Sequence, residues 1–94
     1  MEQYEIETVL NGKAWAFDVD SKGTLLVVEE QTTIDAIPAA AKAAILKRVG
    51  DGKLATIETY SKPGMPMMYE AAYTDNKGKQ HEVLVTANGS ESKG

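Results

Sequence analysis

The sequence predicts an α+β fold: an antiparallel β-sheet with one α-helix packed across it, in the order β-β-β-α-β-β-β. Six segments alternate apolar and polar residues or carry short apolar runs, glycine-containing turns separate most of them, and one alanine-rich segment at helical spacing lies in the middle. Such an order is typical of one sheet with a helix on one face. The 94 residues form one small domain, residues 1–89, followed by a flexible polar tail, residues 90–94.

The first half of the chain contains three predicted strands. Residues 4–10 alternate in the way typical of a half-buried strand, and Asn11-Gly12 predicts a tight hairpin turn because both positions accept positive φ. Residues 14–20 form the returning strand, with Trp15 and Phe17 on one face. Residues 24–31 form the third strand, whose apolar run is typical of the middle of a sheet.

Residues 34–49 form the predicted helix. Asp35 is the expected N-cap, Pro38 is tolerated only in the first turn, and Gly50 is the expected residue after the last turn. Five alanines make the helix slim, so that it can lie close to a sheet. Ile45 is one of its few large apolar residues, and we expect it to face the core.

The second half contains three further predicted strands, at residues 53–62, 67–74 and 80–87. Pro63 and Pro66 bracket the connection between the first two, because neither can donate a backbone hydrogen bond to a ladder. No strand is predicted after residue 87. The last strand is therefore expected to leave a free edge that can pair with another chain.

The two halves also repeat each other as a duplicated hairpin. A Tyr-Glu pair opens each copy, a Gly-Lys turn follows, and a second glycine ends the returning strand. Repetition of a whole unit indicates a scaffold built by duplication. The corresponding positions are Tyr4 with Tyr69, Gly12 with Gly78, and Gly23 with Gly89.

Charge and hydropathy argue against two classes of partner. The formal net charge is −4, with 10 Lys and Arg against 14 Asp and Glu, so nucleic acid is not expected as a partner. No apolar run approaches the roughly 18–20 residues that span a bilayer, so no membrane partner is expected either. The first residues include glutamates and no hydrophobic stretch, so no signal peptide is predicted.

Residues with catalytic chemistry do not form a set. His81 is the one histidine and there is no cysteine, so neither a Cys-His pair nor a second imidazole ligand is available. Glu5 and Glu7 share one strand face, as do Asp18 and Asp20, and paired carboxylates can do acid-base work. Alternating acids are more typical of a solvated face. We therefore expect no enzyme, no catalytic residue, no cofactor and no metal.

The segment 61–69 is the least scaffold-like part of the chain. Three methionines follow a Pro-Gly turn, and methionine is common at surfaces that bind proteins. One alternative is that Met67 or Met68 fills the thin core; another is a thioether site for Cu(I). Strand tyrosines can contact a partner while their hydroxyls stay in water. The predicted partner-binding residues are Met65, Met67, Met68, Tyr60, Tyr69 and Tyr73.

Three features together indicate a family. They are the repeated Tyr-Glu hairpin, the helix opening Ile37-Pro38-Ala39 leading to Ile45, which is close to Leu-Pro-x-x-Val-x-x-x-Ile, and the strand that begins at Leu54. Over residues 4–89 the chain resembles PepSY-like domains, a group that includes β-lactamase-inhibitor-like folds. The resemblance implies a small exported module, periplasmic or secreted, that binds or restrains peptidases or other proteins. It supplies no catalytic motif.

The leading interpretation is a non-catalytic protein-binding module, inhibitory or regulatory toward a peptidase or another extracytoplasmic protein. A second interpretation is a self-associating structural module whose sheet completes a homodimer. A third is small-ligand or metal binding through the methionines of residues 65–68.

Overall fold

The computed structural model describes residues 2–93 and has one seven-stranded antiparallel sheet. Each strand pairs with its neighbours in sequence, so the spatial order runs from β1 to β7. One α-helix lies between the third and fourth strands, which confirms the predicted α+β fold. The elements are β1 (Gln3–Leu10), β2 (Lys13–Asp20), β3 (Leu25–Thr32), a 3-10 turn (Ile34–Ala36), α1 (Ala39–Val49), β4 (Lys53–Ser61), β5 (Met68–Thr74), β6 (Gln80–Thr86) and β7 (Glu91–Ser92).

The helix begins later than the sequence predicts. Ile37 is extended, with φ −99° and ψ 164°, because the ring of Pro38 clashes sterically with an α conformation of the residue before it. Pro38 occupies the N-cap position, so the prediction of Asp35 as N-cap is wrong. The carboxylate of Asp35 instead accepts a hydrogen bond from Lys42 Nζ at 2.6 Å. At 11 residues, α1 does not reach across a membrane, and no other helix within residues 2–93 does so.

The prediction that the chain ends without a further strand is also wrong. Glu91 and Ser92 form β7 and pair with β6, so the duplication extends one strand further. The turn that leads into β7 matches its counterpart in the first half. Gly89 N–H donates to the Thr86 carbonyl at 3.0 Å, as Gly23 N–H donates to Asp20 at 3.0 Å.

The main core cluster lies under α1 and is formed with residues of β4, β5 and β6. The helix packs on β5 and β6, and small side chains such as Ala41 and Ala71, both fully buried, permit the close approach. Ile45 is fully buried, as the sequence predicts. No residue in β1 or β2 is buried. The core residues are Ile37, Ala41, Ile45, Val49, Ile57, Ala71, Tyr73, Val83 and Val85.

Strand register divides the side chains between two faces, because directly opposed residues point to the same side of a sheet. We call the side that carries α1 the helix face and the other side the open face. One row on the helix face runs Ile57, Ala71, Val83, and another runs Ile6, Phe17, Val28. One row on the open face runs Glu7, Ala16, Glu29, Tyr60, Met68, and the next runs Gln31, Glu58, Glu70, Leu84.

Candidate protein-binding surfaces

The open face carries carboxylates on every one of the six long strands. Register places them close together across the sheet, since Glu5 is opposite Asp18 and Glu58 is opposite Glu70. None of the ion pairs formed within residues 2–93 neutralises a member of this set. We call the set the acidic band: Glu5, Glu7, Asp18, Glu29, Glu58, Glu70 and Glu82.

Three of these carboxylates converge at the centre of the band. One oxygen from each of Glu29, Glu58 and Glu70 lies within 4.8 Å of the other two, and all three residues are half-buried. They stand on three consecutive strands, so the rigid pairing of β3, β4 and β5 holds them together. Oxygen ligands at this spacing are of the kind that hard divalent cations prefer.

Burial and the neighbouring charges change the protonation of these three carboxylates. Burial, with the nearby charges of Glu70 and Asp18, raises the pKa of Glu29 to about 7. Burial and the charge of Glu29 raise the pKa of Glu58. Burial also raises the pKa of Glu70, although its hydrogen bond with Glu29 opposes the rise. Protonated Glu29 therefore donates a hydrogen bond to Glu70, so that the two carboxylates share one proton.

His81 does not adjoin this cluster. His81, the one histidine of the sequence, lies on the helix face, where its ring stacks on Tyr73 at a centroid distance of 5.1 Å. Its Nε2 is 2.8 Å from the Asp75 carboxylate, so the imidazole is held away from the open face. The acidic band therefore concentrates negative charge on the open face, on the side of the sheet opposite this histidine.

A second surface lies on the helix face beyond the reach of α1. Trp15 and Phe17 stack along β2 with centroids 6.0 Å apart and planes 6° from parallel. Ile6 and Leu10 on the neighbouring strand are each 51% exposed. The corresponding face of β5 and β6 is buried by the helix. We call this surface the uncovered patch: Tyr4, Ile6, Leu10, Trp15, Phe17 and Val28.

The three predicted methionines separate into two environments. Met68 is 5% exposed, so one of the three is buried as expected, but it lies on the open face and outside the core cluster under α1. Met65 and Met67 are 55% and 47% exposed and, with Pro66, border a cleft of about 400 Å³ beside the β6–β7 turn. These two remain available to a partner, whereas Met68 offers almost no surface.

The three predicted tyrosines also differ. Tyr60 is half-buried on the open face in the same row as Glu29, and Lys62 Nζ lies 5.9 Å from its ring centroid. Tyr69 packs partly against the core. Tyr73 is 5% exposed within the core, because alternation along β5 directs it under α1. Tyr60 is therefore the tyrosine that adjoins the acidic band.

Sequence reasoning missed the central carboxylates. Glu29, Glu58 and Glu70 each lie within a predicted strand, and each alone is typical of a solvent-facing position. The available signal was an acid inside each of the strands from β3 to β6. Strand register, which brings the three together, cannot be deduced from that signal.

Comparison with known proteins supports the fold. No family model matches the sequence, and no curated protein matches it. Among solved structures, a candidate periplasmic protein from Bacteroides eggerthii is similar with a TM-score of 0.85 at 18% identity, over 97% of this chain and 68% of that one. A DUF2874 family protein from Bacteroides uniformis is similar with a TM-score of 0.83 at 16% identity, over 97% of this chain and 68% of that one. A DUF2874 family protein from Bacteroides ovatus is similar with a TM-score of 0.79 at 11% identity, over 97% of this chain and 67% of that one. At these identities the chain shares their fold.

Proposed function

We propose that this protein is a non-catalytic protein-binding module that holds a Lys- or Arg-rich surface of its partner against the acidic band. The observation that carries the proposal is a row of carboxylates across six strands, on the face opposite α1, without ion-pair partners within residues 2–93. Complementary charge on a partner would speed association and set orientation.

The raised pKa values of the central carboxylates favour such a partner. Burial has already removed part of the water from Glu29, Glu58 and Glu70, so docking adds less desolvation than at fully exposed acids. An arriving guanidinium or ammonium group would stabilise the charged forms. Because the pKa of Glu29 is about 7, binding should release a proton from Glu29 near that pH and strengthen as the pH rises from 6 to 8.

The setting we propose is outside the cytoplasm. One similar structure is a candidate periplasmic protein, and the resemblance to PepSY-like domains favours an exported module that binds or restrains a peptidase or another protein. Met65 and Met67 would contribute apolar contact at the rim of the surface.

A matched pair of variants tests the proposal. Glu58→Gln with Glu70→Gln changes the formal net charge from −4 to −2 within the acidic band. Asp35→Asn with Asp51→Asn makes the same change at exposed positions away from the band. Each protein would be immobilised, exposed to periplasmic and secreted proteins of the source organism, and eluted with increasing salt.

The expected result is a basic protein retained by the wild type and by the Asp35/Asp51 variant, and lost from the Glu58/Glu70 variant. The isolated partner should then bind the purified module with an affinity that falls as salt increases. Equal retention by both variants would refute a role for the acidic band. A partner of acidic composition would contradict the proposal as well.

A further inference from the structure

Within residues 2–93, the first strand forms one edge of the sheet along its whole length. All eight residues of β1 pair with β2 in continuous register, without a bulge, and no strand within residues 2–93 pairs with the other side of β1. It contains neither proline nor lysine, residues that commonly protect edges from pairing. The opposite edge is different, because β7 has only two residues.

The hairpin turn fixes which backbone groups of β1 point outward. Asn11 and Gly12 have φ values of 53° and 79° and form a two-residue loop, so the closing pair Leu10 and Lys13 is the hydrogen-bonded kind. Ala14 N–H accordingly points away from β1 and donates to Gln31 Oε1 at 3.1 Å. By alternation, the N–H and C=O groups that face solvent belong to Gln3, Glu5, Glu7 and Val9.

The two sides of this edge have opposite chemistry. On the open face, Glu5 and Glu7 place negative charge beside any added strand. On the helix face, Tyr4, Ile6 and Leu10 are each about half exposed and continue into the uncovered patch. An added strand therefore meets carboxylates on one side and apolar side chains on the other, with the two alternating along its length.

A second copy of β1 fits this edge poorly. If two copies of β1 paired antiparallel, each residue whose backbone groups point outward would lie opposite another such residue. Registers centred on residue 5, 6 or 7 then place Glu5 on Glu5, Glu5 on Glu7 or Glu7 on Glu7. Like charges directly opposite each other destabilise a sheet. A segment with basic residues at those positions would remove the repulsion.

We propose that β1 binds an extended partner segment in which Lys or Arg alternates with apolar residues, added antiparallel as an eighth strand. The basic side chains would lie on the open face beside Glu5 and Glu7, and the apolar ones would extend the uncovered patch. Backbone hydrogen bonds would supply affinity and the alternation would supply specificity. This inference rests on the proposed function and names the part of the partner that the module recognises.

A peptide with the sequence acetyl-Lys-Val-Lys-Val-Lys-Val-Lys-amide tests the inference. In the proposed register the lysine N–H groups face β1 and the valine N–H groups face away. N-methylation of the two central lysine amides should therefore weaken binding at least tenfold, whereas N-methylation of two valine amides should have little effect. Amide hydrogen exchange followed by NMR should slow at Glu5 and Glu7 when the unmodified peptide binds.

Variants of the protein give a second, independent readout. Glu7→Pro removes one outward-facing N–H group, and Glu7→Gln removes the same charge while keeping that group. The proline variant should bind the peptide at least tenfold more weakly than the glutamine variant. Circular dichroism would verify that both are folded.

The outcomes separate the two proposals. Equal binding of both methylated peptides, without protection at Glu5 and Glu7, would overturn the edge-strand inference and leave charge binding by the acidic band in place. No binding of this or any other cationic peptide would contradict both. Protection of β1 together with dimerisation would overturn the inference in favour of a second copy.

Discussion

Glu29 shows how one residue links stability to pH. Its pKa is about 7, against an ordinary value of 4.5. Between these two pH values the folded protein therefore retains a proton that the unfolded chain has released. Stability from this group is present below about pH 4.5 and is lost as the pH rises to 7 and beyond. We expect the melting temperature to decrease as the pH is raised from 5 to 8.

The variant Glu29→Gln should reduce that pH dependence and raise the melting midpoint at pH 8. Removing one like-charge contact across strands is worth on the order of 1 kcal/mol, or roughly 4–8 °C for a domain of this size. Thermal unfolding by circular dichroism at several pH values measures the effect. Asp35→Asn serves as the control, and an equal change in that variant would contradict the assignment.

The methionines provide a second prediction at the residue scale. Met68→Ala should lower the free energy of unfolding by about 2–5 kcal/mol, because the side chain is buried. Met65→Ser and Met67→Ser should each change it by less than about 0.5 kcal/mol, because both side chains are half exposed. Urea denaturation distinguishes the two cases. A destabilised Met65→Ser protein would place that loop in the core instead.

At the scale of elements, the duplication provides a matched pair of glycines. Gly23 and Gly89 occupy equivalent turns with φ of 81° and 89°. A Cβ atom on Gly23 would meet no atom within 4 Å, whereas on Gly89 it would lie 2.7 Å from the Ala40 carbonyl oxygen. The second turn is therefore packed against the start of α1.

Replacing either glycine by alanine should cost about 1–2 kcal/mol for the left-handed backbone. Gly89→Ala should cost at least about 1 kcal/mol more, because the turn or the helix must shift. Chemical denaturation of both variants measures the difference directly. Equal costs would mean that the turn before β7 does not contact α1.

The helix gives a further prediction at this scale. Ile45 is fully buried among residues of β4, β5 and β6, so Ile45→Ala should cost about 2–5 kcal/mol. Leu46, the next residue, is 44% exposed, and Leu46→Ala is the matched control. A melting midpoint for Ile45→Ala close to that of the wild type would refute the packing of α1.

The individual helices and strands were easier to predict from this sequence than the alignment of one strand with the next. Asn11-Gly12, the alternation around it and the helix ending at Val49 are all local signals, and the structure confirms them. The convergence of Glu29 with Glu70 depends on how three strands align, and alternation alone does not contain that information. The strand β7 was missed because two polar residues carry no periodic signal.

At the scale of the whole molecule, the distribution of charge predicts a monomer. The acidic band, which includes Glu5 and Glu7 of β1, repels the same surface of a second copy. We expect sedimentation equilibrium to give a mass near 10.1 kDa at up to about 100 μM in low salt. A stable dimer under those conditions would support the self-associating alternative, and its loss in Ile6→Lys would locate the contact on the uncovered patch.

The one-sided core has a consequence for motion. All of the cluster packed beneath α1 belongs to the helix, its flanking turn and the strands from β4 onward, whereas β1 and β2 contribute no buried residue. The amino-terminal hairpin should therefore open in excursions that leave the rest of the sheet intact, as low-stability units do. Its hydrogen-bonded amides would exchange with solvent orders of magnitude faster than those of β5. The strand β1, which we propose binds the partner, would then belong to the most mobile part of the sheet, and binding of the partner would slow its opening.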